Sequence, residues 1–208
     1  MEIIPSILTN SKDDLLEKLE SIRGLDVTVQ MDFMDGQFVP SRSLLPEELP
    51  EDLSLSSWEA HLMVQQPMAW SQSLYPRGVK RIYWHVEVLP PETVIPHHVS
   101  HIEYALALRL ETPVGAIEPF VPMIKSVLLL SITEPGYQGR PFQEEVYDKI
   151  KELKRLHPHL KLTVDGGINM EHLKPLAKLG VDRAAVGNAF WKFGDPKTVL
   201  AAFRQTTL

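Results

Sequence analysis

Val29-Gln-Met-Asp-Phe-Met-Asp-Gly-Gln-Phe-Val-Pro40, preceded by Val27-Thr28, alternates apolar with polar residues and then turns at Asp35-Gly36. Alternation with β-branched residues predicts a strand, and the Asp-Gly pair marks where it stops. Gln30 and Asp32 have the same parity, so the strand presents both side chains on one face. A carboxylate at a strand end, sharing its face with another polar group, is an unusual choice for a core. The simpler reading is that Asp32 closes the loop that follows it, as Asp commonly does by bonding to nearby backbone.

Working outward, the same pattern recurs along the chain. Glu2–Leu8 reads as a first strand, and Asp13–Ile22 carries Leu15, Leu16, Leu19 and Ile22 at helical spacing up to Gly24. Strands follow over Trp58–Val64, Val79–Val86, Ile102–Leu108, Ser126–Ile132, Leu160–Val164 and Val181–Val186. Ser41–Leu55 reads as polar loop with one helical turn, and Pro90–Pro96 leads into a stretch without pattern. Helices are predicted from Pro67 to Tyr75, Pro113 to Phe120, Gln143 to Leu156, Asn169 to Leu179 and Asn188 to Phe203. Strands alternating with helices in this way predict an α/β protein, a (β/α)8 TIM barrel, with residues 1–208 forming a single domain.

The chain is mildly acidic, with 21 Lys and Arg against 27 Asp and Glu for a net charge of −6, and has no basic run. That argues against nucleic acid and anionic membranes as partners. No stretch approaches the ~18 consecutive apolar residues of a membrane helix, and Met1-Glu-Ile-Ile-Pro-Ser6 lacks the basic and apolar regions of a leader. The absence of cysteine removes disulfides and thiolate metal sites. A cytoplasmic protein is expected.

Barrels of this kind place their chemistry at the C-terminal ends of the strands. The polar residues at those positions are Ser6, Asp32, His61, His85, Glu87 and Asp165, in strands otherwise built of Val, Leu, Ile and Ala. Two carboxylates and a histidine converging on one mouth would cost several kcal/mol if unpaired, so a cation or shared protons must compensate. Three glycine-bearing loops lie on the late strands: Pro135-Gly-Tyr-Gln-Gly139, Asp165-Gly-Gly-Ile-Asn169 and Val186-Gly-Asn188. Glycines there let backbone N–H groups approach a phosphate, although Gly166-Gly167 also suits a tight turn and Asn188 an N-cap. Pro135–Gly139 reads as a flap able to close over a ligand and exclude water.

Taken together, Pro5-Ser-Ile-Leu8, Met34-Asp-Gly-x-Phe-Val-Pro40, Ala60-His-Leu-Met-Val64, His85-Val-Glu87, Glu134-Pro-Gly-x-x-Gly139 and Val164-Asp-Gly-Gly-Ile-Asn169 resemble the ribulose-phosphate 3-epimerase family. The motifs stand in that family's order over nearly the whole chain. The resemblance implies a ribulose-phosphate-binding barrel that interconverts D-ribulose 5-phosphate and D-xylulose 5-phosphate. It makes Asp32 and Asp165 the acid/base pair, one removing the C3 proton and the other returning it to the opposite face. It also implies a divalent metal (zinc, iron(II), manganese or magnesium) stabilising the enediolate, and a homo-oligomer. Ser6, Met34 and His61 would line the substrate, and Gly136, Gly167, Gly187 and Asn188 would hold its phosphate.

The chain departs from that pattern within the same site. The family's first metal-binding histidine is Gln30 here, leaving Asp32, His61 and Asp165 as ligands with Gln30 as a weak fourth. Ser41 stands for an asparagine, Arg109-Leu110 for Asn-Pro, and Asn188 for a serine; Ser131-Ile-Thr133 and Tyr137-Gln-Gly-Arg140 alter the flap. These changes support a second reading, a degenerate barrel that binds a sugar phosphate or a protein partner without epimerising. Retention of both aspartates favours the epimerase. A barrel decarboxylase or synthase would want Asp-x-Lys-x-x-Asp, and Asp32-Phe-Met-Asp35 has no lysine.

Overall fold

The computed structural model describes residues 1–96, 99 and 101–207; residues 97, 98 and 100, in the patternless stretch after Pro96, and residue 208 lie outside the described residues. Eight parallel strands close a barrel in chain order: β1 Glu2–Ile7, β2 Thr28–Met34, β3 Ser57–Met63, β4 Arg81–His85, β5 Glu103–Leu108, β6 Ser126–Leu130, β7 Lys161–Asp165 and β8 Arg183–Val186. The ring is completed by β1 against β8, with Glu2 beside Arg183 and Pro5 beside Val186. Helices α1 Lys12–Ser21, α2 Pro67–Leu74, α3 Val146–Leu156, α4 Met170–Lys178, α5 Asn188–Trp191 and α6 Pro196–Thr206 complete the α/β alternation. Among the described residues no helix is long and apolar enough to cross a membrane.

Most of the apolar core lies between the strands and this outer shell, where Ile3, Val29, Leu62, Trp84, Leu106 and Val164 are buried against Leu15, Leu74, Ile150 and Leu173. The alternate strand residues face inward. Tyr83 Oη on β4 meets Thr163 Oγ1 on β7 at 2.9 Å, a contact between strands that are not neighbours and so must cross the barrel. An apolar cluster of Tyr83, Ala105, Ala107, Leu128 and Leu130 fills part of the interior.

At the N-terminal end the interior closes with charge. Arg183 Nη1 donates to Glu59 (2.7 Å) and to Tyr83 Oη (3.0 Å), while its Nε donates to Glu2 (2.9 Å). Arg81 joins Glu59 (2.9 Å) to Glu103 (3.0 Å). Glu59 and Arg183 are 1% and 7% exposed, so the centre of this plug is buried while Glu2 lies at the surface.

Three helical elements differ from the sequence reading. The segment predicted as a helix from Pro113 to Phe120 is a 3-10 helix over Val114–Met123, because Pro119 and Pro122 remove two backbone donors. The helix predicted from Gln143 starts at Val146. The last helix is two: α5 ends at Trp191, Gly194 takes φ +97°, and Asp195 caps α6 by accepting from the Thr198 N–H at 3.0 Å. Pro196 forces that break, since it disfavours helical backbone at the residue before it.

Candidate active site

At the C-terminal mouth, the β2–β3 register sets Asp32 beside His61, and β7 ends on Asp165. One ligand atom from each of these three side chains lies within 4.8 Å of the others. His61 Nδ1 stands 3.2 Å from Asp32 Oδ1 and 3.4 Å from Asp165 Oδ2. Beneath them, the Gln30 carboxamide donates from Nε2 to Asp32 Oδ1 (2.9 Å) and to Asp165 Oδ2 (2.6 Å). The two carboxyls are therefore tied together twice, by an imidazole and by an amide, which answers the burial problem posed by the sequence.

A further chain of bonds leads away from the pair. His61 Nε2 meets His85 Nε2 at 2.9 Å, and His85 Nδ1 meets Glu87 Oε2 at 2.9 Å. Glu87 also accepts from the Arg109 N–H (2.8 Å) and from Thr112 Oγ1 (2.5 Å). Arg109 lies over the Phe38 ring at 4.2 Å, and Phe38 packs on His85 at 4.5 Å. The roles of His85 and Glu87 were not legible in the sequence; the structure places both directly behind His61.

The electrostatics follow from these contacts. Burial pushes the Asp32 carboxyl up to about 6; the hydrogen bond from His61 opposes the rise and the charge of Asp165 adds to it. Burial alone would lower His61, but hydrogen bonds to Asp165 and Asp32 and their charges outweigh it and raise the imidazole to about 9. Burial lowers His85 to about 4, with the nearby His61 charge helping and Glu87 opposing. Glu87 is lowered to about 2, because hydrogen bonds from His85 and Thr112 and the His85 charge overcome its burial. Near neutral pH, then, His61 is an imidazolium facing the carboxyls, and His85 is neutral between it and an ionised Glu87.

Above the carboxyls is a cavity of about 340 Å³. Its lining brings together Ser6, Asp32, His61, Gly136, Asp165, Gly167, Gly187 and Asn188. Two residues expected at the ligand stand outside that lining. Gln30 is wholly buried one layer below, and Met34 packs with Val39 and Met63 and lies 3.1 Å from Ser41 Oγ. The lining also includes Leu8, Lys192 and Phe193, together with Tyr137 and Gln138 of the flap. Gln138 Nε2 donates to the Leu8 carbonyl at 2.7 Å and so pins the flap across the mouth. Two glycines are required for close approach. A Cβ on Gly136 would strike Ser41, and one on Gly167 would come 2.5 Å from the Phe142 nitrogen, both at positive φ.

The donor set fits a divalent cation. Two carboxylates and an imidazole converge with the spacing such an ion needs. The Gln30 Oε1 is buried and meets no partner among the described residues, so a neutral oxygen is also at hand on the same amide.

The sequence profile of the Ribulose-phosphate 3 epimerase family matches residues 2–191. The ribulose-phosphate 3-epimerase of Mycobacterium leprae is 26% identical, covering 98% of this chain and 93% of its own. The cytoplasmic isoform from Oryza sativa subsp. japonica is 27% identical over 99% of this chain and 93% of its own. Among solved structures, 3-hexulose-6-phosphate synthase from Salmonella typhimurium superposes with a TM-score of 0.73 at 14% identity, covering 100% of this chain and 98% of its own. KGPDC from Streptococcus mutans in complex with D-R5P gives 0.69 at 11% identity, covering 99% of this chain and 96% of its own. At these identities the structural likenesses show the barrel fold, and the family rests on the sequence matches.

Proposed function

The chain belongs to the ribulose-phosphate 3 epimerase family, and from that premise we propose that it inverts C3 of a ketopentose 5-phosphate, interconverting D-ribulose 5-phosphate and D-xylulose 5-phosphate. The observation that carries this reading is the pair of buried carboxyls, Asp32 on β2 and Asp165 on β7, meeting at the floor of one cavity. Inversion next to a carbonyl needs a base on one face of the carbon and an acid on the other. One carboxylate takes the C3 proton, leaving an enediolate; the other, as the acid, delivers a proton to C3 from the opposite face. No electrons are lost or gained, and in the reverse direction the two residues exchange roles. An Asp32 that titrates near 6 keeps both the protonated and ionised forms accessible near neutrality.

The other residues hold this arrangement. His61 and Gln30 fix the spacing of the two carboxyls and aim N–H groups at them. Ser6 borders the sugar, while the Gly167, Gly187 and Asn188 backbone takes the phosphate at the cavity rim. The flap pinned by Gln138 keeps water from the enediolate. A divalent cation held by Asp32, His61 and Asp165, when bound, supplies Lewis-acid stabilisation of negative charge on the substrate oxygens.

Proton NMR of ribulose 5-phosphate in D2O, run with EDTA and with zinc, manganese, iron(II) or magnesium, tests the reading. Deuterium at C3 together with xylulose 5-phosphate is expected. Asp32→Asn and Asp165→Asn should each lower epimerisation by about a thousand-fold, within the range of general acid–base contributions. No exchange under any metal, with sugar phosphates still raising the melting temperature, would mean a barrel that binds without turning over.

A further inference from the structure

The proton-transfer scheme uses Gln30 only as a spacer, yet its surroundings are unusual on both sides. The side chain is 0% exposed. One end of its carboxamide donates to two carboxylates at 2.9 and 2.6 Å. The other end, Oε1, is buried and without a partner among the described residues. A buried acceptor left unmade is costly, so an amide that only needed satisfaction would not be held this way. The NH2 group earns its place because two anions need a bridge, and nothing in the surroundings requires the oxygen to point away.

The two ends of a carboxamide are nearly the same size. A half-turn about the terminal bond would set Oε1 where Nε2 now stands, beside the Asp32 and Asp165 oxygens. Three oxygens crowded there suit a cation, and that point is where Asp32, His61 and Asp165 converge. We propose that Gln30 is a reversible lock on this site: its NH2 cross-links Asp32 and Asp165 when no cation is bound, and the turned amide offers Oε1 as a fourth donor when one is. The inference shares its two aspartates with the epimerase reading but does not depend on turnover. It predicts a barrel that stays ordered without metal, binds a divalent ion exchangeably, and favours oxygen-seeking Mn²⁺ and Mg²⁺ more than an imidazole at position 30 would.

The direct test follows the Gln30 side-chain NH2 signals by 15N-edited NMR of the whole protein, assigned by their loss in Gln30→Leu. In EDTA the two protons should be shifted downfield and exchange slowly with solvent; saturation with the diamagnetic ions Mg²⁺ or Zn²⁺ should remove both features. Melting and calorimetric titrations complete it. Gln30→Leu should melt several degrees below the parent in EDTA, because the bridge from Nε2 to the Asp32 and Asp165 carboxyls is gone. Gln30→His should shift the ratio of Zn²⁺ to Mn²⁺ affinity towards zinc by at least about tenfold. NH2 signals unmoved at metal saturation, no binding of any of these ions, or equal melting of Gln30→Leu and parent in EDTA would each overturn the lock. Since no substrate is involved, a protein that passes these tests but shows no C3 exchange refutes the epimerase reading alone.

Discussion

Raising the pH should destabilise this protein in a window set by His61. In the folded chain His61 holds its proton up to about 9, against 6.5 for a free imidazole. Between those values the unfolded chain has released a proton that the folded chain keeps, so stability is fully present below 6.5 and is lost as pH rises. At about 1.4 kcal/mol per pH unit, the whole span is worth on the order of 3 kcal/mol. Lys149 works in the opposite sense above pH 8, because burial lowers its amine from 10.5 to about 8 and ionisation there favours the unfolded chain. Over pH 6.5 to 8, before Lys149 intervenes, the His61 contribution should fall by roughly 2 kcal/mol.

Below that interval two neighbours oppose each other. Asp32, raised from 3.8 to about 6, gives stability that falls as pH rises through that span. His85, lowered from 6.5 to about 4, gives stability that rises over nearly the same span. These two should nearly cancel from about pH 4.5 to 6.5, and stability should fall on the acid side as Glu87, lowered from 4.5 to about 2, takes up its proton. Urea titrations in EDTA, followed by the fluorescence of buried Trp58 and Trp84, read this directly. With a urea m-value of about 2–3 kcal/mol per molar, the midpoint should drop by nearly ~1 M between pH 6.5 and 8. His61→Gln should remove the drop. A flat parent profile, or an equal drop in the variant, would falsify the assignment of a charged His61 between the aspartates.

Three further outcomes are expected. Arg183→Met strands Glu59 at 1% exposure with Arg81 as its remaining ion-pair partner; it should cost about 3–5 kcal/mol and lower the melting temperature by ~10 °C, with KM unchanged because the plug lies at the far end. Gly167→Ala drives a Cβ to 2.5 Å from the Phe142 nitrogen at a φ of +65°; KM for the sugar phosphate should rise by about tenfold or more, read by steady-state kinetics, since strained glycine positions at ligand contacts tolerate no side chain. Glu87→Gln weakens the anchor that accepts from His85, Arg109 and Thr112; kcat should fall by about 10-fold with KM held within about twofold, the pattern of a residue acting through His61.

The strands were legible because a barrel repeats one constraint eight times. On β2 the shared parity of Gln30 and Asp32 was enough to put both on the inner face, and the contacts of Gln30 with Asp32 and Asp165 bear that out. The same parity argument extends to Met34, yet Met34 is not part of the cavity lining. Its strand ends there, and the Asp35-Gly36 turn folds Val39 and Ser41 against it. Local pattern fixes which face a side chain takes but not what later chain covers it. The break at Gly194-Asp195-Pro196 was in principle readable, since glycine, a capping carboxylate and proline form a stop and a start; the apolar spacing continuing into Val199, Leu200 and Phe203 masked it. His85 needed the third dimension: its partner His61 is 24 residues away on the next strand, and only the closed ring aims both inward.

The plug was invisible for the same reason, with Glu59 and Arg183 lying 124 residues apart, and comparing it with the mouth shows why only one end of this barrel suits chemistry. At the N-terminal end the carboxylates of Glu2, Glu59 and Glu103 are met by Arg81 and Arg183. Arginine does not release its proton in the working range and its planar fork holds fixed partners, so that cluster keeps its positive charge against its carboxylates. At the C-terminal end Asp32 and Asp165 are met by an imidazole and a neutral amide. The imidazole can titrate, the amide can turn, and one carboxyl already sits near the point of protonation. The mouth can therefore gain or lose a proton or a cation without collapse, and the cavity opens above it. Burying two carboxylates is costly even beside a titratable partner; the apolar layer between strands and helices supplies the margin that lets the mouth remain unsettled.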